Sequence, residues 1–376
     1  MKNSQISPPA QDELEVSVFG PGYGEAILLH IGAGKWFLVD SCLDPISGQP
    51  ASLQYLFDLN VNVGQAVKLV VATHWHDDHV RGISNIFKQC QSAEFVISNA
   101  LRVEEFLTLT YLSREPSPIK SSGLDEFSEI FQLLEARKQP GVRFNPPKFA
   151  TADKLIYRDQ IEVTPKPVEV KISALSPSDA SILQAGLAFA ELLAAEEQSR
   201  KRLPSLTPNH TSVVLWVEVG HHKILLGADL EKTSDPRTGW SVILNNSTVV
   251  SGKAGVFKVP HHGSETAHHA EVWSELLLKE PFAVVTPFSR GKKLLPSSTD
   301  VERLTRLTLY AYATSPTRLQ KLRWRDRIVR DYVDQVTQRI YSVHQGWGHV
   351  RLRQKIEAMN DSWQVELFGD AYALNR

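Results

Sequence analysis

Three histidines lie within six residues of the sequence, at His74, His76 and His79, and Asp78 directly precedes the last of them. The side chains of His74 and His76 can point the same way, so their imidazole nitrogens can chelate one borderline-soft cation. Asp78 and His79 can then bind a second cation beside it. Such a mixed nitrogen and oxygen ligand set suits zinc, whereas magnesium prefers oxygen alone. The alternative is a polar turn with solvated histidines, and the buried-type strand directly before the cluster argues against it.

More residues of the same types stand beside other apolar runs. Asp229 comes at the end of Lys223–Leu226, where its carboxylate can bridge two metal ions or cap the following segment. His261 and His262 follow another apolar run, and because adjacent side chains point apart, at most one of them binds the same ion. His210 by itself is explained equally well as a structural histidine. The first cluster therefore carries the metal-site prediction, and these residues are candidates to complete it.

The segments before these clusters predict β-strands. Val67–Ala72 ends directly at the first histidine cluster, and Val256–Val259 ends just before His261. Alternation of strands with helical patterns predicts an α/β fold, in which ligands bind at the carboxyl ends of strands. The other predicted strands are Leu14–Phe19, Ala26–Ile31, Lys35–Val39, Val168–Leu175, Ser212–Val219, Lys223–Leu226, Phe282–Val285, Leu307–Tyr312 and Val350–Arg353. The predicted helices are Ala51–Leu59, Leu124–Arg137, Asp179–Lys201, one opened by a capping box at Thr299-x-x-Glu302 and a long basic one at about 317–345.

Composition limits the classes of protein that the chain can be. Its 376 residues carry 41 Lys and Arg against 42 Asp and Glu, which excludes an electrostatic grip on nucleic acid over the whole surface. The two cysteines exclude a disulfide scaffold and a four-cysteine zinc site. No run reaches the roughly 20 apolar residues of a membrane-spanning helix, and the first residues lack the apolar core of a signal peptide. We therefore expect a cytoplasmic protein with no membrane partner.

The chain is expected to form a flexible leader, residues 1–13, followed by one domain over residues 14–376. A largely helical insertion is expected at about 101–208, and it is a candidate surface for a protein partner or an oligomer contact. The helical extension at about 317–345 contains a local basic patch, because Arg318–Arg339 holds seven Lys and Arg against three Asp. Trp324 within it can stack a base. The alternative for this patch is the solvated face of an amphipathic helix.

Together the motifs resemble those of the metallo-β-lactamase fold superfamily. Its most specific pattern, T-H-x-H-x-D-H-x-x-G, is complete from Thr73 to Gly82, and Asp40 matches the strand-end aspartate that precedes it. Within the superfamily the chain is most similar to the hydrolase domain of ComEC-type DNA-uptake proteins. The segments that carry this similarity are Gly22-Tyr-Gly-Glu-Ala26, Asn209-x-x-Ser-Val-Val-Leu215, Lys258-Val-Pro-His-His-Gly-Ser264 and Trp347-Gly-His-Val-Arg-Leu-Arg353. Two departures are Ala228, where the family usually has glycine, and Leu295, where a His-Pro-Ser motif has its histidine.

The resemblance implies an αββα sandwich with two divalent metal ions at one edge, between the sheets. Zinc is the favoured metal, and manganese and iron are the alternatives. The implied ligands are His74, His76 and His210 for one ion, Asp78, His79 and His262 for the other, and Asp229 as a bridge between them. A hydroxide that bridges the ions would be the nucleophile. Asp40 would hold a ligand histidine in one tautomer.

The resemblance also implies a hydrolase with Asp78 and His261 as catalytic residues. The implied substrate-binding residues are Ser264, Asn209, Lys292 and Lys293. The lysines, or a metal-bound water, would stand in for the missing histidine. A phosphodiester in nucleic acid or a nucleotide is the expected substrate, so the protein would be a phosphodiesterase or nuclease. One alternative is hydrolysis of an ester, lactone, thioester or β-lactam at the same centre. The other is a metal-bearing regulatory or binding protein that works through residues 101–208.

Overall fold

Two mixed β-sheets face each other in the computed structural model of the chain. The structure describes residues 6–20, 23–112, 122–138, 144–163, 165–197, 208–290, 293–317, 332, 346–359 and 362–375. In this part of the chain, the first sheet consists of β1 (Glu13–Gly20), β2 (Ala26–His30), β3 (Trp36–Val39), β4 (Val67–Ala72), β5 (Glu94–Ser98), β6 (Lys148–Ala150), β16 (Gly348–Lys355) and β17 (Gln364–Gly369). Their order across the sheet is β17-β16-β1-β2-β3-β4-β5-β6. Pairing is antiparallel from β17 to β3 and parallel from β3 to β6.

The second sheet repeats this plan. Its described strands are β7 (Lys154–Ile161), β8 (Val168–Ala174), β9 (Leu215–Val219), β10 (His222–Leu226), β11 (Ala254–Lys258), β12 (Leu277–Val285), β15 (Ala311–Ala313) and β18 (Tyr372–Ala373). Their order is β18-β15-β12-β11-β10-β9-β8-β7. The central strands from β10 to β15 are parallel, and the strands outside them are antiparallel. A short hairpin of β13 (Phe288–Arg290) and β14 (Lys293–Leu295) follows β12.

Helices cover the outer face of each sheet. The helices on the first sheet are α1 (Ala51–Asp58), α2 (Val63–Ala66), α3 (Asp77–Val80), α4 (Ile83–Gln89), α5 (Glu104–Leu112), α6 (Ser122–Ala136) and α7 (Asp179–Glu197). Those on the second sheet are α8 (Gly239–Asn246) and α9 (Ser298–Leu307). One apolar cluster lies between each sheet and its helices. A third apolar cluster, built from both sheets, fills the space between the sheets, and it includes Phe37 of β3 and Val256 of β11. The predicted αββα sandwich is therefore confirmed.

The region around residues 101–208 contributes strands as well as helices. It supplies β6 to an edge of the first sheet and β7 and β8 to an edge of the second. Three phenylalanines, Phe106 of α5, Phe127 of α6 and Phe189 of α7, are buried in the apolar cluster on the first sheet. The helices of this region are therefore packed on the sandwich by a shared core.

Two predicted elements differ from the structure. The capping box of α9 is formed by Ser297 and Asp300, because each side chain accepts a hydrogen bond from the other residue's backbone N–H. The prediction of a capping box at Thr299-x-x-Glu302 was therefore wrong. The predicted strand Leu307–Tyr312 is wrong at its start, since α9 continues to Leu307 and the short β15 pairs with β12 only from Ala311. The predicted basic helix lies outside the described residues, apart from one position.

Part of the predicted leader contacts the sandwich. The carbonyl of Ser7 accepts a hydrogen bond from Arg353 (2.7 Å), and the carbonyl of Gln11 accepts one from the backbone of Ala33 (2.8 Å). Residues 6–12 thus reach the folded chain before β1 begins at Glu13. Throughout the described ranges, every helix is too short or too polar to traverse a lipid bilayer.

Candidate metal centre

The carboxyl ends of parallel strands from both sheets meet at one edge of the sandwich. In the first sheet, β3 leads into Asp40 and β4 into the cluster that starts at Thr73. In the second, β10 leads into the turn with Asp229, and β11 leads into His261 and His262. Parallel pairing puts these ends side by side, as in other α/β proteins where ligands bind at this edge.

Six of the seven predicted ligand side chains converge there. One group comprises Asp78, His79, Asp229 and His262, and a second comprises His74, His76 and Asp229; within each group the ligand atoms lie within 4.8 Å of one another. Asp229 belongs to both groups. Nε2 of His262 lies 3.1 Å from Oδ2 of Asp78, and Nε2 of His79 lies 3.3 Å from Oδ1 of Asp229. The arrangement is two adjacent sets of nitrogen and oxygen ligands that share one carboxylate.

Buried partners fix how the histidines face this cluster. Asp40 accepts three hydrogen bonds of 2.7 Å, from the backbone and hydroxyl of Thr73 and from Nδ1 of His79. Nδ1 of His262 donates to the carbonyl of Thr286 at 2.9 Å. With Nδ1 used as a donor, Nε2 of His79 and of His262 is left without a proton in the neutral ring and faces the carboxylates.

The turns that carry these residues have unusual backbone conformations. Ala228, His261 and His262 have φ values of 45°, 46° and 53°, in the left-handed region that favours glycine. A Cβ atom on Gly227 would meet the carbonyl oxygen of Lys258 at 2.9 Å, so this position requires glycine. Ala228, the predicted departure from the family pattern, therefore adopts a glycine-like conformation with an alanine side chain.

Electrostatics at the centre favour bound positive charge. Burial, together with the neighbouring His79, lowers the pKa of His74 well below its usual range. Burial opposes ionisation of Asp229, but His79 and His262 outweigh it and hold the pKa of that carboxyl well below its usual range. Burial also opposes protonation of His79 and His262, but Asp229 and other carboxylates outweigh it and raise the pKa of both histidines. The buried carboxylates are thus stabilised in their ionised form by a positively charged group beside them.

The residues present fit divalent metal ions. Imidazole nitrogen and carboxylate oxygen are zinc ligands, and both occur in each group. Nε2 of His79 and Oδ1 of Asp229 approach each other but are not aligned as a hydrogen bond, so both buried atoms lack a hydrogen-bond partner among the described residues. Unpartnered buried polar atoms are costly, and coordination of a cation would satisfy both of them.

His210 stands outside the two groups. Its Nε2 lies 3.5 Å from Oε2 of Glu231, and its side chain is 31% exposed. Glu231 was missed by sequence reasoning, yet its Oε1 lies 2.7 Å from Nδ1 of His261 and 3.3 Å from Nδ2 of Asn209. Burial opposes ionisation of Glu231, but His210 and His261 outweigh it and hold its pKa well below the usual range. The only signal in the sequence was an acidic residue two positions after Asp229.

The predicted substrate-binding residues have different locations. Asn209 and His261 line the cavity over the cluster, with Nδ2 of Asn209 3.2 Å from Nε2 of His261. Ser264 lines a separate small cavity instead, and its hydroxyl lies 3.1 Å from that of Thr266. Lys292 lies outside the described residues, and Lys293 is described only as the first residue of β14.

A buried ion pair joins two of the quoted motifs beneath the cluster. Lys258 pairs with Glu25, both side chains are almost fully buried, and the hydroxyl of Thr286 donates to the same carboxylate at 2.6 Å. The other carboxylate oxygen of Glu25 lies 3.7 Å from Nδ1 of His79. The backbone N–H of Glu25 also bonds the carbonyl of Asp78 at 3.0 Å. Through these contacts of Glu25, the loop before β2 and the end of β11 are both bonded to the histidine cluster.

Helix α6 is also hydrogen-bonded to the histidine cluster. Its residue Glu126 accepts hydrogen bonds from the backbone of Gly82 (2.6 Å) and Ser84 (3.0 Å), at the start of α4. Asp77, inside the cluster, accepts one from the backbone of Gly123 (2.9 Å). Helix α6 therefore helps to fix the segment from Asp77 to Ser84.

A cavity of about 450 Å³ opens over the cluster. Carboxylates, histidines and aromatic rings line it, among them Asp78, His76, Glu231, Trp75 and Phe288. This volume is in the range of cavities that bind small organic ligands, about 300–1,000 Å³.

Comparisons with known proteins find one matching family model and several similar solved structures. The sequence model described as Metallo-beta-lactamase superfamily matches residues 19–285. The metallo-beta-lactamase fold protein YhfI from Bacillus subtilis is similar, with 13% identity, 65% of this chain and 70% of that chain covered, and a TM-score of 0.30. So is MEM-A1, a subclass B3 metallo-beta-lactamase from a soil metagenome library (15% identity, 71% and 86% covered, TM-score 0.31). Zn²⁺-bound PqqB from Methylobacterium extorquens is 12% identical, with 64% of this chain and 71% of that chain covered and a TM-score of 0.29. No curated protein sequence gives a significant match.

Proposed function

The chain belongs to the metallo-beta-lactamase superfamily, and we propose that it is a metal-dependent hydrolase that acts on a phosphodiester in a nucleotide or nucleic acid. Members of this superfamily are mostly metal-dependent hydrolases or oxidoreductases. The observation that carries the proposal is the pair of ligand groups that share Asp229 beneath a cavity. Two adjacent cation sites suit in-line displacement at phosphorus.

Each of the two ligand groups would hold one of the two cations. His74 and His76 would hold one cation, Asp78, His79 and His262 would hold the other, and Asp229 would contribute to both. His210 remains a predicted ligand of the first. Divalent cations bound there would polarise the phosphoryl oxygen and lower the pKa of a water molecule, so that hydroxide is available as the nucleophile near neutral pH. Zinc suits this donor set, and manganese and iron are the alternatives.

Polar groups beside the cluster can bind and orient the substrate. Glu231 contacts Nδ1 of His261 and so turns Nε2 of that ring toward Asn209. The amide of Asn209 and the imidazole of His261 both border the cavity. Because Glu231 contacts both of them, these side chains are fixed beside the place where the substrate would bind. Such fixed dipoles next to the reacting group can stabilise charge that develops during the reaction.

The choice of phosphorus over carbon rests on the motifs that resemble ComEC-type hydrolase domains. Two of them are physically joined at the site, because Lys258 of one forms the buried ion pair with Glu25 of the other. This contact supports the view that the motifs act as one unit around the cluster. The basic patch at Arg318–Arg339 lies outside the described residues and stays a prediction.

The competing proposal is a carbonyl substrate at the same centre, namely an ester, lactone, thioester or β-lactam. The test is a panel assay of protein loaded with zinc or manganese on bis-para-nitrophenyl phosphate, oligonucleotides, cyclic dinucleotides, lactones and a β-lactam. We expect hydrolysis of phosphodiesters only, and its loss in the double variant His76→Ala, Asp78→Ala. Turnover of a carbonyl substrate without any phosphodiester would overturn the proposal. The variant His268→Ala, outside the cluster, is the matched control.

A further inference from the structure

Two aromatic surfaces border the cavity over the ligand cluster. Phe288 of β13 and Tyr23 of the β1–β2 loop contribute one, and Trp75 contributes the other. Phe288 lies beside His262, with ring centroids 5.1 Å apart, and Trp75 lies beside His76, at 6.4 Å. The two surfaces therefore adjoin different halves of the cluster, one beside each predicted cation.

The Phe288 surface is built from two separate segments of the chain. The rings of Tyr23 and Phe288 are 5.5 Å apart, and Leu295 pairs opposite Phe288 in the β13–β14 hairpin and also lines the cavity. The guanidinium of Arg81 lies 6.0 Å from the Tyr23 ring. Phe288 and Tyr23 are only partly buried. Apolar rings thus remain accessible beside a polar centre, where a planar ligand can stack on them.

Trp75 is held in place by the helices of the 101–208 region. Its ring lies 6.2 Å from Phe106 of α5 and 6.2 Å from Phe189 of α7. These two rings are themselves buried. The indole is therefore supported from behind by a rigid apolar cluster, and its partly buried face lines the cavity.

The charges of the residues that line the cavity indicate which part of a nucleotide these aromatic surfaces would bind. Asp77, Asp78, Asp229 and Glu231 line it, and no lysine or arginine occurs among its described lining residues. Carboxylates repel the phosphates of a nucleic acid strand, so only a phosphate at the cations is attracted there. The described lining therefore offers binding energy mainly through stacking on its aromatic rings.

We propose that the Tyr23–Phe288 surface binds the nucleobase of a nucleoside phosphodiester while its phosphate lies at the cluster. This inference rests on the proposed function and narrows its substrate class to diesters that carry a nucleoside on one arm. Because every base has a π-face, such a surface accepts different bases. Trp75, on the other half of the cluster, is placed to contact the second arm of the diester.

The test compares two diesters with the same leaving group. They are thymidine 5′-(para-nitrophenyl phosphate) and methyl para-nitrophenyl phosphate, so only the arm that stays on phosphorus differs. For the metal-loaded wild type we expect kcat/KM to be at least about tenfold higher for the nucleoside ester. In Phe288→Leu and in Tyr23→Leu, this preference should fall about tenfold, chiefly through KM. Any damage to the cluster affects both esters and cancels in the ratio.

Phe57→Leu is the matched control, because Phe57 is a partly exposed ring on α1 that does not line the cavity. It should keep the wild-type preference. An unchanged preference in both cavity variants, with the methyl ester still hydrolysed, overturns this inference and leaves the proposed function intact. If the wild type with bound metal hydrolyses neither ester, the proposed function fails and the inference fails with it.

Discussion

Asp40 shows how one buried carboxylate can set the chemistry of several residues around it. It lies between Thr73 and His79, with φ of +59°. Burial raises the pKa of this carboxyl, and the opposing effect of His79 is smaller. The resemblance to the superfamily implied this role, because Asp40 matches the strand-end aspartate that precedes the histidine motif there. It did not indicate Glu231, whose side chain reaches His261 and His210 only because the β10 and β11 turns fold together. Contacts that depend on such tertiary packing leave no local pattern.

Replacement of Asp40 by asparagine should weaken metal binding without removing a ligand. The amide can still accept the backbone hydrogen bond of Thr73, but its NH₂ group would face Nδ1 of His79. That ring would then carry its proton on Nε2, which is the wrong tautomer for coordination. We expect zinc affinity to fall about 10- to 100-fold, measured by competition with a chelator. Asp58→Asn, at the exposed C-terminal end of α1, is the control. Equal zinc affinity in Asp40→Asn and the wild type would contradict the assigned role.

At the scale of elements, the strand ends position the site and the helices fix its loops. The strands before each cluster were predictable, since β4, β10 and β11 are short apolar runs that end at ligand-type residues. The edge strand β7 was missed, because its sequence, Lys154–Ile161, mixes charged and apolar residues without a clear alternation and half of its residues are exposed. The capping box of α9 was misplaced by two residues, since Ser297, Ser298 and Thr299 all have side chains of the capping type.

Glu126→Ala should destabilise the protein through the start of α4. The Glu126 side chain supplies acceptors for two backbone N–H groups there, and without it these groups lose their partner. We expect the free energy of unfolding to fall by about 1–2 kcal/mol, as for loss of a helix N-cap. Urea unfolding followed by circular dichroism measures it. Glu135→Ala on the same helix should change little, because this side chain is exposed and its ion-pair partner among the described residues is the exposed Lys138. Equal effects of the two variants would show that Glu126 has no special role.

For the whole molecule, the sandwich is stabilised by three apolar clusters, with polar groups buried near them. The alternation of strands and helices predicted this architecture. The pairing of 16 described strands into two sheets was not readable from the sequence, because register depends on contacts between distant segments such as β1 and β16. The same distant contacts bury histidines that do not belong to the metal centre.

His30 should make the stability of the fold depend on pH. Burial lowers its pKa to about 4, while its Nδ1 contacts the carbonyl of Glu13 at 2.8 Å. In the unfolded chain a histidine titrates near 6.5, so between pH 6.5 and 4 the unfolded state binds more protons. The stability contribution is therefore complete above about pH 6.5 and declines as the pH falls toward 4, by about 3 kcal/mol at most.

The variant His30→Gln should show a shallower loss of unfolding free energy between pH 6.5 and 4, whatever its stability at pH 7. Urea unfolding at a series of pH values measures this slope. A slope equal to that of the wild type would mean that His30 does not bind a proton on unfolding.

The most direct test of the central claim is a metal titration of the apoprotein. Zinc or manganese is added in steps, and bound metal and the hydrolysis rate of bis-para-nitrophenyl phosphate are measured at each step. The shared carboxylate between the two ligand groups predicts two ions per chain, no hydrolysis by the apoprotein and full activity only at the second equivalent. A chain that binds two ions and hydrolyses no phosphodiester would contradict the account.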